Sequence, residues 1–373
     1  MARRKLPTGI RETKSGYELR FSMDGQQYSV SAATIDECKN KELGRRQQII
    51  ERRYIRNANI TLERYFDEWI DSRRGTVKEA TLYVNRQRFE HIRPYLGKMK
   101  IVDIERRQVI EMQKELNKKL TTTGANSSVT LLSTILKAAN ADRIIQWNPC
   151  EGVKHLQRTE KDATETIHRA LTIEETELFF KYAKDSWYQY YYKFLLLTGM
   201  RNGEGCALTW SDIDRINSVI HISKTMTRIS DSDFTIGTPK TKKSVRDIPL
   251  TNQMIQVLND QKEMQLAVNG GKAVSMSSRV FTSMNGGYIT AAANCSTIKS
   301  ILNRAAADGH IIEKFSTHCF RDTFATRAIE QGMNPQTLKT ILGHSSLAMT
   351  MDKYAHVLPN TKQEEMNKIC ISF

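Results

Sequence analysis

The apolar residues of this chain change their spacing in blocks, and such a chain cannot fold around one continuous core. Tyr17-Glu18-Leu19-Arg20-Phe21 alternates with period two, Asp24-Gly25 supplies a tight-turn dipeptide, and Gln26 to Val30 resumes the alternation. This reads as a twisted β-hairpin. Thr34 with Glu37 three residues on has the capping-box pattern and predicts a helix through Leu43, Ile49 and Ile50 to Tyr54. From Thr61 to about Gln157 the spacing becomes helical. Leu62, Tyr65, Phe66, Trp69 and Ile70 form one stripe; Leu82, Phe89, Ile92 and Leu96 form a second. Val109, Ile110, Met112, Gln113 and Leu116 form a third, and Val129, Leu132, Ile135 and Leu136 a fourth, ended by Asn148-Pro149 and Gly152. Four stripes predict a small four-helix domain. Residues from about His155 to Arg169 have mixed charge and no period, the mark of a linker. Beyond it a helix opens after Thr172, an apolar segment runs from Tyr190 to Leu197, β-like stretches surround Val219–Ile222 and Val245–Ile248, and helical spacing prevails from Asn252 onward. The expected organisation is therefore multidomain and mainly α: a module at 1–57, a helical domain at 58–157, a linker at 158–169, and a larger mixed domain at 170–373.

Charge narrows the partners. Fifty-six Lys and Arg against 41 Asp and Glu leave a formal charge of +15, which points to a polyanion. The first 56 residues hold thirteen basic side chains against seven acidic ones, so about two-fifths of the surplus lies there. Arg20, Arg45 and Arg46 in that stretch, and Arg86, Arg88, Lys118 and Lys119 on the helical domain, are candidates to follow phosphates. Solvation alone explains them equally well. The longest apolar run, Phe194 to Leu197, is too short to span a bilayer, and Met1 to Lys5 leads into Leu6-Pro7-Thr8-Gly9 rather than a signal-peptide core. The expectation is a cytoplasmic protein with no membrane partner. Six scattered cysteines, Cys38, Cys150, Cys206, Cys295, Cys319 and Cys370, show neither a C-x-x-C pair nor zinc-finger spacing. No metal and no cofactor is expected.

Four segments of the last domain carry chemistry. In Leu197-Thr198-Gly199-Met200-Arg201-Asn202-Gly203-Glu204, a buried helix ends at Gly199 and Arg201 opens the next turn. Arg201 can present its fork to a phosphate or pair with Glu204 three residues on. In Thr317-His318-Cys319-Phe320-Arg321-Asp322-Thr323, helical spacing sets His318 and Arg321 on nearly one face, with Phe320, Phe324 and Ala328 toward a buried one. Ile341-Leu342-Gly343-His344 is followed ten residues later by Tyr354. The fourth segment, Thr238-Pro239-Lys240-Thr241-Lys242-Lys243-Ser244-Val245-Arg246, is a basic turn before a strand. Each alone has an ordinary structural explanation.

In this order, the R…K…H-x-x-R…H…Y pattern over about 150 residues resembles the tyrosine recombinases, or phage-type integrases, most of all those of conjugative transposons. Flanking residues match as well: T-G-M-R-x-x-E, P-K-T-x-x-S-x-R-x-I-P-L, H-x-x-R-x-T-F-A-T, L-G-H-S and Y-A-H. The resemblance is close over the third domain and looser over the first two. It implies an arm-binding module with a three-stranded sheet and a helix, a four-helix core-binding domain, and a mainly-α catalytic domain with a small sheet. Carried over residue by residue, it makes Tyr354 the nucleophile, with Arg201, Lys240, His318, Arg321 and His344 around the scissile phosphate and Glu204 supporting them. Lys242 and Lys243, two and three residues on in the same turn, are the alternatives to Lys240, which is preferred because the residues around it match best; with Arg246 they are also candidate DNA contacts. Phe320 and Asp322 depart from the common pattern, which has Leu and often a basic residue or His there.

The activity so implied is site-specific recombination, the integration and excision of a mobile element, through a 3′-phosphotyrosine and without metal or ATP. The implied partners are double-stranded attachment sites, three further copies of the chain in a tetramer on DNA, and an accessory excision factor. The implied location is the bacterial nucleoid. The tail from Thr361 to Phe373, with apolar Met366, Ile369, Ile371 and Phe373, either docks on a neighbouring protomer or folds back on its own domain. Two rivals are a non-catalytic DNA-binding regulator and a type IB-like topoisomerase. The regulator gives no reason for Arg201, His318, Arg321, His344 and Tyr354 to occur together, and the separate basic module weighs against the topoisomerase.

Overall fold

The structure, a computed structural model, describes residues 7–13, 15–23, 25–53, 59–158, 169–239, 244–268, 270–344 and 346, with the backbone alone at 48–53. The chain divides into two compact units, Met1–Asp162 and Ala163–Phe373. The break falls inside the stretch without hydrophobic period.

The first unit opens with β1 (Ile10–Thr13), β2 (Gly16–Met23) and β3 (Gln26–Ala32), an antiparallel sheet in that order. Period-two spacing predicts β2 and β3, which pair from Met23↔Gln26 to Tyr17↔Ala32; Asp24 of the connecting turn lies outside the described residues. β1 is only four residues long, too short to show a period, and pairs Ile10 with Leu19. The next element, α1 (Ile35–Arg53), sets Cys38 against Ile10, Leu19 and Phe21 in a small apolar core.

A second, larger core belongs to α2 (Leu62–Ser72), α3 (Glu79–Ile92), α4 (Arg106–Lys119) and α5 (Thr122–Ala141). The Thr61 hydroxyl accepts from the Arg64 N–H and caps α2 as its sequence predicts, a contact that contributes about 1 kcal/mol. Every member of the first stripe is buried, and the Phe66 and Phe89 rings stack 3.8 Å apart. The α-helical part of the second stripe stops at Ile92, because Pro94 has no N–H to continue it; Leu96 is buried from the wider turn Arg93–Gly97.

The second unit begins with α6 (Ile173–Ala183), whose Thr172 and Glu175 exchange both hydrogen bonds of a capping box. Next come α7 (Gln189–Thr198) and the short α8 (Asn202–Ala207). β4 (Ile213–Asp214), β5 (Val219–Ile222), β6 (Thr225–Arg228), β7 (Phe234–Gly237) and β8 (Arg246–Pro249) follow. They make a three-stranded sheet ordered β4-β5-β8 and a separate β6-β7 pair. Four helices close the described chain: α9 (Asn252–Val268), α10 (Ala291–Ala307), α11 (His318–Glu330) and α12 (Pro335–Leu342). Phe179, Tyr192, Phe315 and Phe320 interlock by edge and face at centroid distances of 5.2–5.8 Å. That aromatic cluster seats α11 against α6 and α7. The Thr323 hydroxyl accepts from the Leu171 N–H at 2.9 Å and Arg327 Nη2 donates to the Leu171 carbonyl at 3.0 Å, so α11 holds both backbone groups of that residue.

Candidate active site

Three helix ends build the site. At the first, α7 closes on Gly199, left-handed with φ +62°; a Cβ there would stand 2.4 Å from Phe324 Cδ1 and 2.9 Å from Leu342 Cδ2. Only glycine satisfies both the backbone angle and the close approach of α11 and α12. The chain then turns through Arg201, the residue before α8. Glu204, in the first turn of α8, accepts the Arg201 backbone N–H at 2.8 Å and its Nη1 at 2.9 Å. The pairing with Glu204 is present, and the Arg201 side chain remains 38% exposed.

The second end is the start of α11. His318 is partly exposed, with Nε2 3.8 Å from the buried Asp322 carboxylate one turn on. Phe320 and Ala328 lie in the core as helical spacing requires. Arg321 does not share the exposure of His318: it is only 2% exposed. Its Nη1 donates to the Gly199 carbonyl at 2.8 Å and its Nη2 to the Leu342 carbonyl at 2.7 Å.

The third end is the C-terminus of α12. Asn334 caps this helix through the Gln336 N–H, Pro335 occupies its first turn, and Gly343 stops it at φ +66°. Leu338 and Leu342 bury its apolar face against Ala325, Ala328 and Ile329 of α11. A helix end carries partial negative charge and carbonyls without intrahelical donors. Here three guanidiniums supply the donors: Arg246 Nε to Ile341 O, Arg321 Nη2 to Leu342 O, and Arg201 Nη2 to Gly343 O at 3.4 Å. His344, buried, follows immediately and donates its backbone N–H to Lys339 O at 3.1 Å. The fold thus gathers Arg201, Arg321 and His344 at one turn. Lys240, Lys242, Lys243, Tyr354 and the tail Thr361 to Phe373 lie outside the described residues.

One expected DNA contact is corrected. Arg246 is not on a surface: its side chain is 3% exposed and its fork lies on the 2% exposed Glu204, at 3.0 and 2.9 Å. The sequence holds the signal, since period two along β8 puts Arg246 on the buried face with Ile248. Of the other candidates, Arg20 is exposed beside Glu18, and Arg45 and Arg88 are exposed. Arg46 pairs with Glu42 and covers the Phe21 ring. Arg86 lies 3.6 Å from Asp71, Lys118 pairs with Glu115, and Lys119 approaches the Tyr95 ring. The tyrosines before the site are occupied elsewhere. Tyr191 is buried and donates to the Asn202 side chain at 2.7 Å, and burial holds its phenol well above the ordinary value.

Burial pushes the Glu204 carboxyl up, but the Arg246 fork, with help from the Arg201 N–H and guanidinium, outweighs it and holds the group below the usual carboxylate range. The stabilisation is present above the unfolded value of about 4.3 and is lost as pH falls through the lowered folded value. Glu204→Ala leaves a buried guanidinium without its counter-charge, at an expected cost of ~3–5 kcal/mol. Thermal unfolding at pH 7 should show a midpoint about 10 °C lower, and the gap to wild type should narrow as pH falls below the unfolded carboxylate value. An unchanged midpoint at pH 7 would refute the assignment.

Residues 159–361 match the family model described as phage integrase family, and residues 61–117 match that of the phage integrase N-terminal SAM-like domain. The ICEBs1 integrase of Bacillus subtilis (strain 168) is 28% identical over 352 residues, covering 91% of this chain and 90% of that protein. The transposase from transposon Tn916 of Enterococcus faecalis is 28% identical over 211 residues, 53% of this chain and 50% of that protein. A solved structure of the Tn1549 transposon integrase in complex with a circular intermediate DNA matches with a TM-score of 0.69 and 25% identity, over 84% of this chain and 100% of that one.

Proposed function

The chain belongs to the phage integrase family, and on that premise we propose that Tyr354 cuts and rejoins DNA at the ends of a mobile element through a 3′-phosphotyrosine. The protein is a tyrosine site-specific recombinase, and double-stranded DNA is its partner. The observation that carries the residue assignment is the convergence of Arg201, Arg321 and His344 on the last turn of α12, beside the helix that begins at His318.

A phenol with a pKa near 10 attacks poorly at neutral pH, so a proton acceptor must stand by it; this is the role of His318. Tyr354 Oη bonds to phosphorus, the bond to the 5′-oxygen breaks, and Lys240 supplies the proton that the leaving oxygen takes. Arg201 and Arg321 carry the charge that builds on the phosphoryl oxygens, and His344 donates to a non-bridging one. The phosphotyrosine keeps the energy of the broken diester, so a second 5′-hydroxyl rejoins the strand by the reverse attack. Residues 1–57 bind arm-type sites, 58–157 the core site, and 170–373 catalyse. Two duplexes cut in stepwise pairs need four protomers, and excision takes an accessory factor. The work is done at the bacterial nucleoid.

The test is a nicked duplex from an element end, from which the piece beyond the cut diffuses away and traps the covalent state. Incubated in excess EDTA and run on a denaturing gel, the wild-type protein should give a protein–DNA adduct, and mass spectrometry of its peptides should place the nucleotide on Tyr354. Tight binding to the same DNA without any adduct would overturn this reading in favour of a non-catalytic regulator.

A further inference from the structure

We propose that Arg246 is a positioning residue for strand cleavage, setting Arg201 through Glu204 and His344 through the end of α12; the inference rests on the phosphotyrosine reading above. Its guanidinium makes four hydrogen bonds, two to Glu204, one to Ser244 O and one to Ile341 O. A buried guanidinium is costly unless paired, and one pairing partner would have sufficed. Instead its bonds run to three residues, and two of these, Glu204 and Ile341, belong to the site. The Glu204 oxygens it holds are the same ones that hold the backbone and guanidinium of Arg201, Oε2 the N–H and Oε1 the Nη1. The Ile341 carbonyl is the first of the three successive acceptors, the last of which, Gly343, immediately precedes His344.

Arg246 thus links β8 to two of the groups assigned to the phosphate, Arg201 and His344. Its planar fork is what lets one side chain reach a carboxylate and a helix carbonyl at once. An ammonium at the end of a lysine is a point donor with no second, fixed prong. Because a shift of about 1 Å in a group facing a reacting centre costs on the order of 100-fold, the loss should appear in the chemical step. DNA affinity should hold.

Arg246→Lys keeps the charge opposite Glu204 and gives up the grip on Ile341 O. Full-length wild type and Arg246→Lys are compared on the nicked duplex by single-turnover cleavage across DNA concentrations, with thermal unfolding measured in parallel. The expected result is a rate at saturating DNA at least tenfold lower and a half-saturating DNA concentration within twofold of wild type. The paired change Glu204→Met with Arg246→Met replaces the buried ion pair by apolar side chains of similar length, an exchange that can leave stability intact. Cleavage should stay at least 100-fold down even where its melting temperature matches wild type. Cleavage that returns with the melting temperature, or an Arg246→Lys rate equal to wild type, would overturn the proposal and leave Arg246 a brace of the fold. If wild type itself forms no adduct, the phosphotyrosine reading fails first, and this proposal with it.

Discussion

Tyr354→Phe is expected to form no covalent adduct on nicked duplexes, a fall of at least about 10⁴-fold of the kind seen when a nucleophile is removed from a covalent mechanism. The substitution deletes one oxygen and keeps the ring, so packing changes little. DNA binding should weaken by no more than the ~0.5–1.5 kcal/mol of one hydrogen bond. Cleavage gels and a binding titration on the same duplex separate the two effects. Equal adduct yields from Tyr354→Phe and wild type would put the nucleophile on another side chain.

Arg321→Ala comes next in size, because this residue serves chemistry and architecture together. Its fork donates to Gly199 O and Leu342 O, and alanine leaves both buried carbonyls without that donor, at ~1–3 kcal/mol each. The lost charge at the transition state costs cleavage roughly 10²–10³-fold beyond that. Arg321→Lys separates the contributions: it keeps a positive charge but cannot span two carbonyls and a phosphate with one planar group. Thermal unfolding should recover part of the alanine deficit, while single-turnover cleavage should remain about 100-fold below wild type. Cleavage by Arg321→Lys within threefold of wild type would remove Arg321 from the phosphate.

How much of this was legible beforehand depended on the range of the interactions. Thr61 and Thr172 cap helices through residues three positions away, so their elements follow from local spacing alone. The stripes of α2 to α5 are equally local, and the motif residues declare themselves by type and order. β1, β6 and β7 are four residues each, too short for their alternation to stand out as a period. The burial of Arg321 was hidden for a different reason. Its acceptors are backbone carbonyls of residues 199 and 342, and a carbonyl carries no side-chain signature in a sequence. Arg246 lay between these cases: its period-two position shows that it points inward, but only the fold supplies Glu204 as the partner that makes a buried arginine tolerable.

The three guanidiniums on Ile341, Leu342 and Gly343 also act as a ruler. Successive residues of an α-helix are turned by about 100° and raised by about 1.5 Å, so each arginine addresses one specific carbonyl of this helix end. One residue added or removed between Asn334 and Gly343 would rotate all three acceptors away from their donors and swing His344 to another side of the helix. This stretch therefore cannot change length, whatever its side chains become. The β6-β7 tip at Asp231–Asp233, exposed and outside the arginine lattice, carries no such constraint and is where the domain can take insertions without disturbing the phosphate site.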